Sequence, residues 1–311
     1  MLRAATQQAR LLSKTTRKMA EQSLNPPINA ACLIIGDEVL NGKINDTNSK
    51  YFARYCFDLG IHLTEICVIG DEEEQIIETA TRLAQKNKFI ITSGGIGPTH
   101  DDITYESLAK VYPDTPNLLS QECVDKMEKI HGSSKKMSGE ALKNHYRMAT
   151  LPSGPKCKHY YLDDKMWVPV VSIYDQFYIL PGIPQLFEKL LQLLKPKVKE
   201  IYGLKEMKYV RYFVKTPFGE SAMSEFLRNL QEKANEKSTE IKIGSYPHWG
   251  LGFNTISILG TDSQDNFLQK LRDECIAELQ GTEISAEDEE KVSDTRKDPS
   301  DDGNAKLLLK K

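Results

Sequence analysis

The sequence predicts an α/β fold: a three-layer domain built on a parallel sheet, followed by a second, smaller α+β domain. Three observations carry this expectation. Short, continuous apolar runs alternate with stretches of helical periodicity from residue 30 onward. The most unusual loops each follow one of those runs. Beyond about residue 204 the alternation gives way to a strand, a helix, two strands and a helix.

The first run, residues 30–35, is apolar throughout and stops at Gly36, as a strand buried on both faces does. From Asn48 the spacing turns helical, with Tyr51, Tyr55 and Leu59 on one stripe and Gly60 placed to end the helix. Residues 61–69 form the next strand. Asp71 and three glutamates then open a helix whose apolar side is Ile76, Ile77, Ala80, Leu83 and Ala84, the acids complementing the positive end of its dipole. A third strand, 89–92, runs into a glycine-rich loop. Residues 118–150 read as two helices joined by a flexible polar stretch at 132–136. Residues 168–180 return to strand character, ending in Pro181-Gly182-Ile183-Pro184, and a helix spans 185–195. In the smaller domain, strands are expected at 209–215, near Ile241 and near Ile256, and helices at 222–233 and 266–279. The expected division is a basic tail at 1–27, the α/β domain at 28–203, the small domain at 204–280, and a charged, disordered tail at 281–311.

With 311 residues, 40% of them hydrophobic, the chain can bury one sizeable core and a smaller one. A formal net charge of -3 offers no polyanion-binding surface, so nucleic acid is not an expected partner. No apolar run approaches the roughly 20 residues of a membrane span, so no membrane association is expected. Six cysteines without a C-x-x-C pair argue against a zinc cluster and a disulfide framework, and fit a reducing, cytoplasmic setting. Arg3, Arg10, Lys14, Arg17 and Lys18 precede the first acid, Glu21. This segment reads either as a solvated basic tail or as a mitochondrial presequence, with Met19 as an internal start.

The chemistry gathers at the strand exits. In Ser93-Gly94-Gly95-Ile96-Gly97-Pro98-Thr99-His100-Asp101-Asp102, three glycines allow a tight turn whose N–H groups face an anion, and Thr99 adds a hydroxyl donor. Two consecutive carboxylates beside a phosphate cradle repel it unless a divalent cation bridges carboxylate and phosphate oxygens. The bland alternative is a Gly-Pro turn with Asp102 as the cap of the following helix. A second acidic cluster, Gly36-Asp37-Glu38-Val39-Leu40-Asn41-Gly42, leads to Asp46-Thr47-Asn48. Capping by Asp46 or Thr47 accounts for one of these residues but not for Asp37, Glu38 and Asn41 as well.

Together, Gly36 to Gly42, Asp46 to Asn48, Asp71 after Val68-Ile69-Gly70, Ser93 to Asp102 with Thr104, and Leu180 to Pro184 resemble the molybdopterin-binding-like domain. That domain is shared by molybdenum-cofactor proteins, the bacterial competence-damage-inducible proteins and the N-terminal half of eukaryotic FAD synthase. The resemblance covers about 30–203. It extends weakly through Ile243-Gly244-Ser245-Tyr246-Pro247, which is similar to a signature of the small domain in the latter two groups. Bacterial members carry a Gly-Thr-Ala-Pro-Gly segment where this chain has Trp167-Val168-Pro169-Val170-Val171-Ser172-Ile173, which resembles the eukaryotic branch. No Ser-Gly-Gly-Lys-Asp-Ser loop is found, so the second FAD synthase domain is not expected, and the chain is most similar to the stand-alone fungal FAD pyrophosphatases.

The resemblance implies metal-dependent hydrolysis of FAD to FMN and AMP. It implies a catalytic and metal-holding set of Asp46, Asp71, Asp101 and Asp102. Substrate would be bound by Gly36, Asp37, Glu38, Asn41, Asn48, Gly94, Gly95, Ile96, Gly97, Pro98, Thr99, Pro181 and Gly182. The implied cofactor is Mg2+ or a similar divalent ion, with potassium dependence implied by the family alone. ADP-ribose or a nicotinamide dinucleotide as substrate, a non-catalytic molybdopterin- or flavin-binding module, and adenylyl transfer to molybdopterin stay open, as does homo-oligomer formation. An isoalloxazine ring needs a flat, partly apolar surface, for which Trp167, Tyr174, Phe177, Tyr178 and Tyr146 are the candidates.

Overall fold

The computed structural model describes residues 28–204, 208–248 and 251–293. The basic segment at 1–27, with its presequence-like residues, lies outside the described residues. The chain divides into two compact units, Met1–Lys205 and Glu206–Lys311.

In the first unit, β1 (Asn29–Ile35), β2 (His62–Ile69), β3 (Phe89–Ser93), β8 (Phe177–Leu180), β7 (Val170–Ile173) and β6 (Cys157–Tyr160) form one sheet in the order β2-β1-β3-β8-β7-β6, and β4 (Asn117–Leu119) pairs antiparallel with β5 (Thr150–Pro152) in a small separate sheet. β1 lies between β2 and β3, so its residues from Ala30 to Ile35 are all buried, and their continuous apolar run follows from cover on both faces. β2 is an edge strand and alternates in exposure. The first four strands are parallel, β7 pairs antiparallel with β8, and β6 pairs antiparallel with β7, so the sheet is mixed.

The single strand expected over 168–180 is thus a hairpin. Tyr174 and Asp175 turn it with φ of 59° and 49°, the twist that a two-residue hairpin turn requires. Tyr174 stacks on Tyr112 at 4.5 Å, and Lys158 Nζ donates to the Asp175 carboxylate at 2.6 Å, which holds two non-glycine residues in that conformation.

The helices of this unit are α1 (Asp37–Leu40), α2 (Asn48–Leu59), α3 (Glu73–Ala84), α4 (Thr104–Ala109), α5 (Gln121–His131), α6 (Ser133–Lys136), α7 (Gly139–Arg147) and α8 (Pro184–Tyr202). The joint expected at 132–136 contains the helical turn α6. α8 runs through Pro196, where the sequence predicted its end. Buried Leu190, Leu191, Leu194 and Val198 continue one stripe across the proline, and the Tyr202 hydroxyl donates to the Asp175 carbonyl at 2.6 Å. Tertiary packing outweighs the hydrogen bond that Pro196 cannot donate.

Registry aligns the exits of the parallel strands: Ile35 pairs with Ile69, Ile34 with Ser93, and Ser93 with Leu180. Every glycine- or acid-rich loop singled out above therefore opens on the same end of the sheet.

The second unit is an antiparallel sheet of β9 (Tyr209–Thr216), β10 (Lys242–His248), β11 (Phe253–Thr261) and β12 (Thr282–Ile284), ordered β10-β11-β9-β12. Helices α9 (Glu220–Lys237) and α10 (Asp265–Glu278) bring Met223, Leu230, Leu268 and Leu271 to the core formed with Val214, Ile256 and Ile258. The disorder expected from 281 on is corrected at its start. β12 pairs with β9, and α11 (Ala286–Ser293) follows, its first turn capped by Ser285, whose Oγ accepts from the Asp288 N–H at 3.0 Å. Strand pairing uses backbone groups, which charged composition does not reveal. Residues 294–311 lie outside the described residues.

Candidate functional site

A cavity of about 840 Å3 opens at the exits of the parallel strands. Gly36 and Glu38 reach it from the turn after β1, and Asp46 and Asn48 from the start of α2. Asp71 comes from the loop after β2. Gly94, Gly95, Ile96, Gly97, Pro98, Thr99, Asp101 and Asp102 come from the loop after β3, and Pro181 and Gly182 from the loop after β8. These loops are distant in sequence and share the space only because the parallel strands end together.

Asp37 and Asn41, both expected in the pocket, are not among its lining residues. The Asp37 carboxylate lies against the backbone of Gly70, and the Asp37 N–H donates to Asp71 Oδ2 at 2.9 Å. Asn41 Oδ1 accepts from the Lys43 N–H at 3.0 Å, closing the turn that ends α1. Asn41 is spent on a local turn, and the Asp37 carboxylate sits beside Gly70 outside the cavity lining.

The remaining side chains are tied to one another. Asn48 is buried, and its Nδ2 donates to Ser93 Oγ and to the Gly182 carbonyl, both at 2.9 Å, which joins α2 to the loops after β3 and β8. Asp46 Oδ1 accepts from the Ser49 N–H at 3.0 Å, so this carboxylate caps the start of α2 while it lines the cavity. Asp102 does not cap α4. Its carboxylate accepts from the Thr99 N–H at 2.9 Å and from the Thr99 hydroxyl, folding the loop back on itself. Thr104 Oγ1 donates to the Gly94 carbonyl at 2.9 Å.

Burial pushes the Asp71 carboxyl above the usual carboxylate range. The Asp37 N–H pulls it back, and the charges of Asp37, Asp101 and Glu38 push it up further. Negative charge is thus concentrated where the first three strands end. Among the described residues, no group of three or more His, Cys, Asp or Glu side chains forms a ready-made metal-ligand cluster.

The family model described as a probable molybdopterin binding domain matches residues 31–200, more than half of the chain. The chain belongs to that family. A protein named "Probable FAD synthase" in Caenorhabditis elegans is 30% identical over 235 residues, which are 70% of this chain and 43% of that protein. A CinA-like protein of Citrifermentans bemidjiense is 28% identical over 271 residues, 86% of this chain and 62% of that one. The chain spans about half the length of these curated relatives. The solved CinA structure from Thermoplasma acidophilum, whose function is given as unknown, shares 23% identity at a TM-score of 0.48, covering 55% of this chain and 98% of that one.

In this molybdopterin-binding-domain protein a further part of the cavity lining comes from outside the strand-exit loops. It is formed by His131 at the end of α5, Met148 after α7, and Lys165, Met166, Trp167 and Val168 between β6 and β7. Trp167 and Val168 belong to the segment that resembles the eukaryotic branch, whereas nothing in the sequence marks His131, Met148, Lys165 or Met166. Nor does the sequence mark Arg147, a basic residue in the last turn of α7. Its guanidinium donates to the Thr99 carbonyl at 2.5 Å and the Asp102 carbonyl at 3.0 Å, and pairs with Glu106 at 3.2 Å. One planar fork thus fixes both ends of the Thr99–Asp102 turn. Arg147→Met should lower stability by about 1 kcal/mol, given the partial exposure of the pair, and speed amide exchange in the 99–104 segment. Arg147→Lys should not restore protection, because a point charge cannot bridge both carbonyls. Unchanged exchange in the Met variant would show that the turn holds without Arg147.

Among the described residues, no helix is long and apolar enough to cross a membrane.

Proposed function

We propose that this chain is a metal-dependent pyrophosphatase that hydrolyses FAD to FMN and AMP. The observation that carries the reading is a single cavity in which the glycine loop 94–99 meets the carboxylates of Asp46, Asp71, Asp101 and Asp102. A backbone-lined cradle suits phosphate, whereas carboxylates oppose it unless a cation is shared between them. The donor set fits such a cation. Asp71 feels the charge of Asp37, Asp101 and Glu38, which a divalent ion would relieve, and hard ions such as Mg2+ take one or two carboxylates and complete their shell with phosphate oxygens and water. The spread of these side chains suits an ion shared with substrate, and its protein ligands would come from Asp46, Asp71, Asp101 and Asp102. When bound, it would withdraw charge from the pyrophosphate and acidify water.

The chain's own groups do the rest. Backbone N–H groups of the Gly95–Gly97 stretch orient the two phosphates, since the N–H groups of Gly94 and Thr99 are bonded to Leu180 and Asp102. A carboxylate of the acidic set accepts the proton of the attacking water. The water oxygen bonds to one phosphorus, the bond to the bridging oxygen breaks, and each product leaves with a terminal phosphate. The resemblance of the Trp167–Ile173 segment to the FAD synthase branch supports FAD over other adenine dinucleotides, as does the 30% identity to the worm protein bearing that name.

The test is chromatography of products from FAD, ADP-ribose and NADH incubated with purified protein, with Mg2+ or with a chelator, in potassium and in sodium buffer. FMN and AMP should appear from FAD only with the metal, with kcat/KM above that for the other two. Hydrolysis of ADP-ribose with FAD left intact would overturn the substrate assignment. Binding without turnover under every condition would overturn the reaction.

A further inference from the structure

The phosphate cradle cannot choose among FAD, ADP-ribose and NAD, which share an adenylate and a pyrophosphate, so the choice rests with the opposite wall. Of the five aromatic side chains that the sequence offers for stacking, Trp167 alone lines the cavity. Phe177 and Tyr178 are core residues, 1% and 0% exposed. Tyr174 is stacked against Tyr112 at the hairpin turn. The Tyr146 hydroxyl donates to Glu128 at 2.5 Å.

Trp167 is held in place from behind. Its indole lies 6.4 Å from the His145 ring at 58°, and His145 Nε2 is 2.8 Å from Ser133 Oγ. The Cys123 thiol approaches the Trp167 carbonyl at 3.8 Å. His145 and Arg147 belong to the last turn of α7, so one turn of helix touches both the indole and the Thr99–Asp102 segment of the cradle. Met148 and Met166 also line the cavity, with polarizable thioethers that suit an aromatic ring.

On the side of α1 and the loop before α2 the cavity is lined by Glu38 and Asn45, acceptors that suit the exocyclic amine of adenine. The wall around Trp167 carries Lys165 and His131, donors that suit the two carbonyl oxygens of a pyrimidinedione ring.

We propose that Trp167 is the specificity-determining residue of this cavity, the plate on which the isoalloxazine ring of a flavin nucleotide stacks, with Lys165 and His131 at its carbonyl edge. This rests on reading the cavity as a dinucleotide site. It explains how a cradle common to many adenine dinucleotides is narrowed to flavin: a bare ribose has no ring to stack, and a nicotinamide ring covers far less of the indole.

The experiment compares the full-length wild type with Trp167→Ala and Trp167→Phe, each checked for native circular dichroism. Affinities for FMN and AMP, which hold no pyrophosphate to cleave, are measured calorimetrically in Mg2+, and those for FAD and ADP-ribose both in chelator and in Mg2+, alongside FAD turnover in Mg2+. Loss of one stacking partner should weaken FAD and FMN binding roughly tenfold or more in the Ala variant. AMP and ADP-ribose should stay within about twofold, and Trp167→Phe should recover most of the flavin affinity. Unchanged FAD and FMN affinity in folded Trp167→Ala, or no FMN binding by the wild type, overturns the proposal. So does an equal loss for AMP, which would seat adenine on the indole. Selective loss of flavin binding in a protein that never hydrolyses FAD would leave the stacking assignment standing and sink the pyrophosphatase reading. FAD hydrolysis with affinities indifferent to Trp167 would do the reverse.

Discussion

Asp102→Ala should lower kcat/KM for FAD by on the order of a hundredfold or more while the protein stays folded. Asp102 faces the cavity, and in the proposed reaction its charge belongs to the set that shares a divalent ion with the substrate, an interaction worth several kcal/mol in the transition state. It also organises the cradle, because its carboxylate accepts from both the N–H and the hydroxyl of Thr99. Stability should shift by no more than about 1 kcal/mol. The turn is exposed, so water replaces the lost acceptor, and removing one of several neighbouring negative charges relieves repulsion. Asp102→Asn separates the two roles. The amide oxygen still accepts from Thr99, whereas the charge is gone, so loop protection should persist while turnover is lost. Wild-type turnover by Asp102→Ala at saturating Mg2+ would remove this carboxylate from the reaction.

The parts of the fold that sequence made legible are those where burial on both faces imposes a pattern. The runs at 30–35 and 89–92 are continuous because β1 and β3 lie inside the sheet, and Gly60 marks the end of α2 with a left-handed φ of 66°. What stayed hidden depends on long-range partners. β6 is a four-residue antiparallel strand, Cys-Lys-His-Tyr, whose pairing with β7 no local pattern announces. The β7–β8 turn is made by Tyr174 and Asp175, without the Asn-Gly or Asp-Gly pair that signals such turns, because Tyr112 and Lys158 hold it from outside. Pro196 reads as a stop, yet the stripe it interrupts is buried on either side.

The same contrast separates site residues from their surroundings. The glycine loop and the acids around it are legible because their chemistry is odd for a strand exit, and parallel registry then brings them together. Asp37 and Asn41 are equally odd in sequence, but the Asp37 carboxylate packs against Gly70 outside the cavity lining and Asn41 closes a turn. Arg147 and Lys165 look like ordinary surface cations in sequence. Only the packing of α7 and the β6–β7 loop against the strand exits puts one behind the cradle and the other in the far wall.

Gly94→Ala should destabilise the first unit by about 3 to 5 kcal/mol, the combined cost of a strained backbone and a steric conflict that cannot relax. Gly94 opens the cradle with φ of 106°, a conformation that side chains rarely adopt, and a Cβ there would collide with the Ile35 carbonyl oxygen. That oxygen belongs to the backbone at the end of β1, which β2 and β3 hold on either side, so it has nowhere to move. Gly94 is also fixed by its own bonds: its N–H donates to the Leu180 carbonyl at 3.3 Å, and its carbonyl accepts from Thr104. Gly132 supplies the control. It too has a left-handed φ, 58°, but a Cβ there would meet nothing within 4 Å. Gly132→Ala should therefore cost only about 1 kcal/mol, the conformational penalty alone. Chemical denaturation of both variants measures the difference. Equal losses would mean that the cradle tolerates a side chain at its first residue, and that close backbone packing between the loop after β3 and the end of β1 does not set its shape.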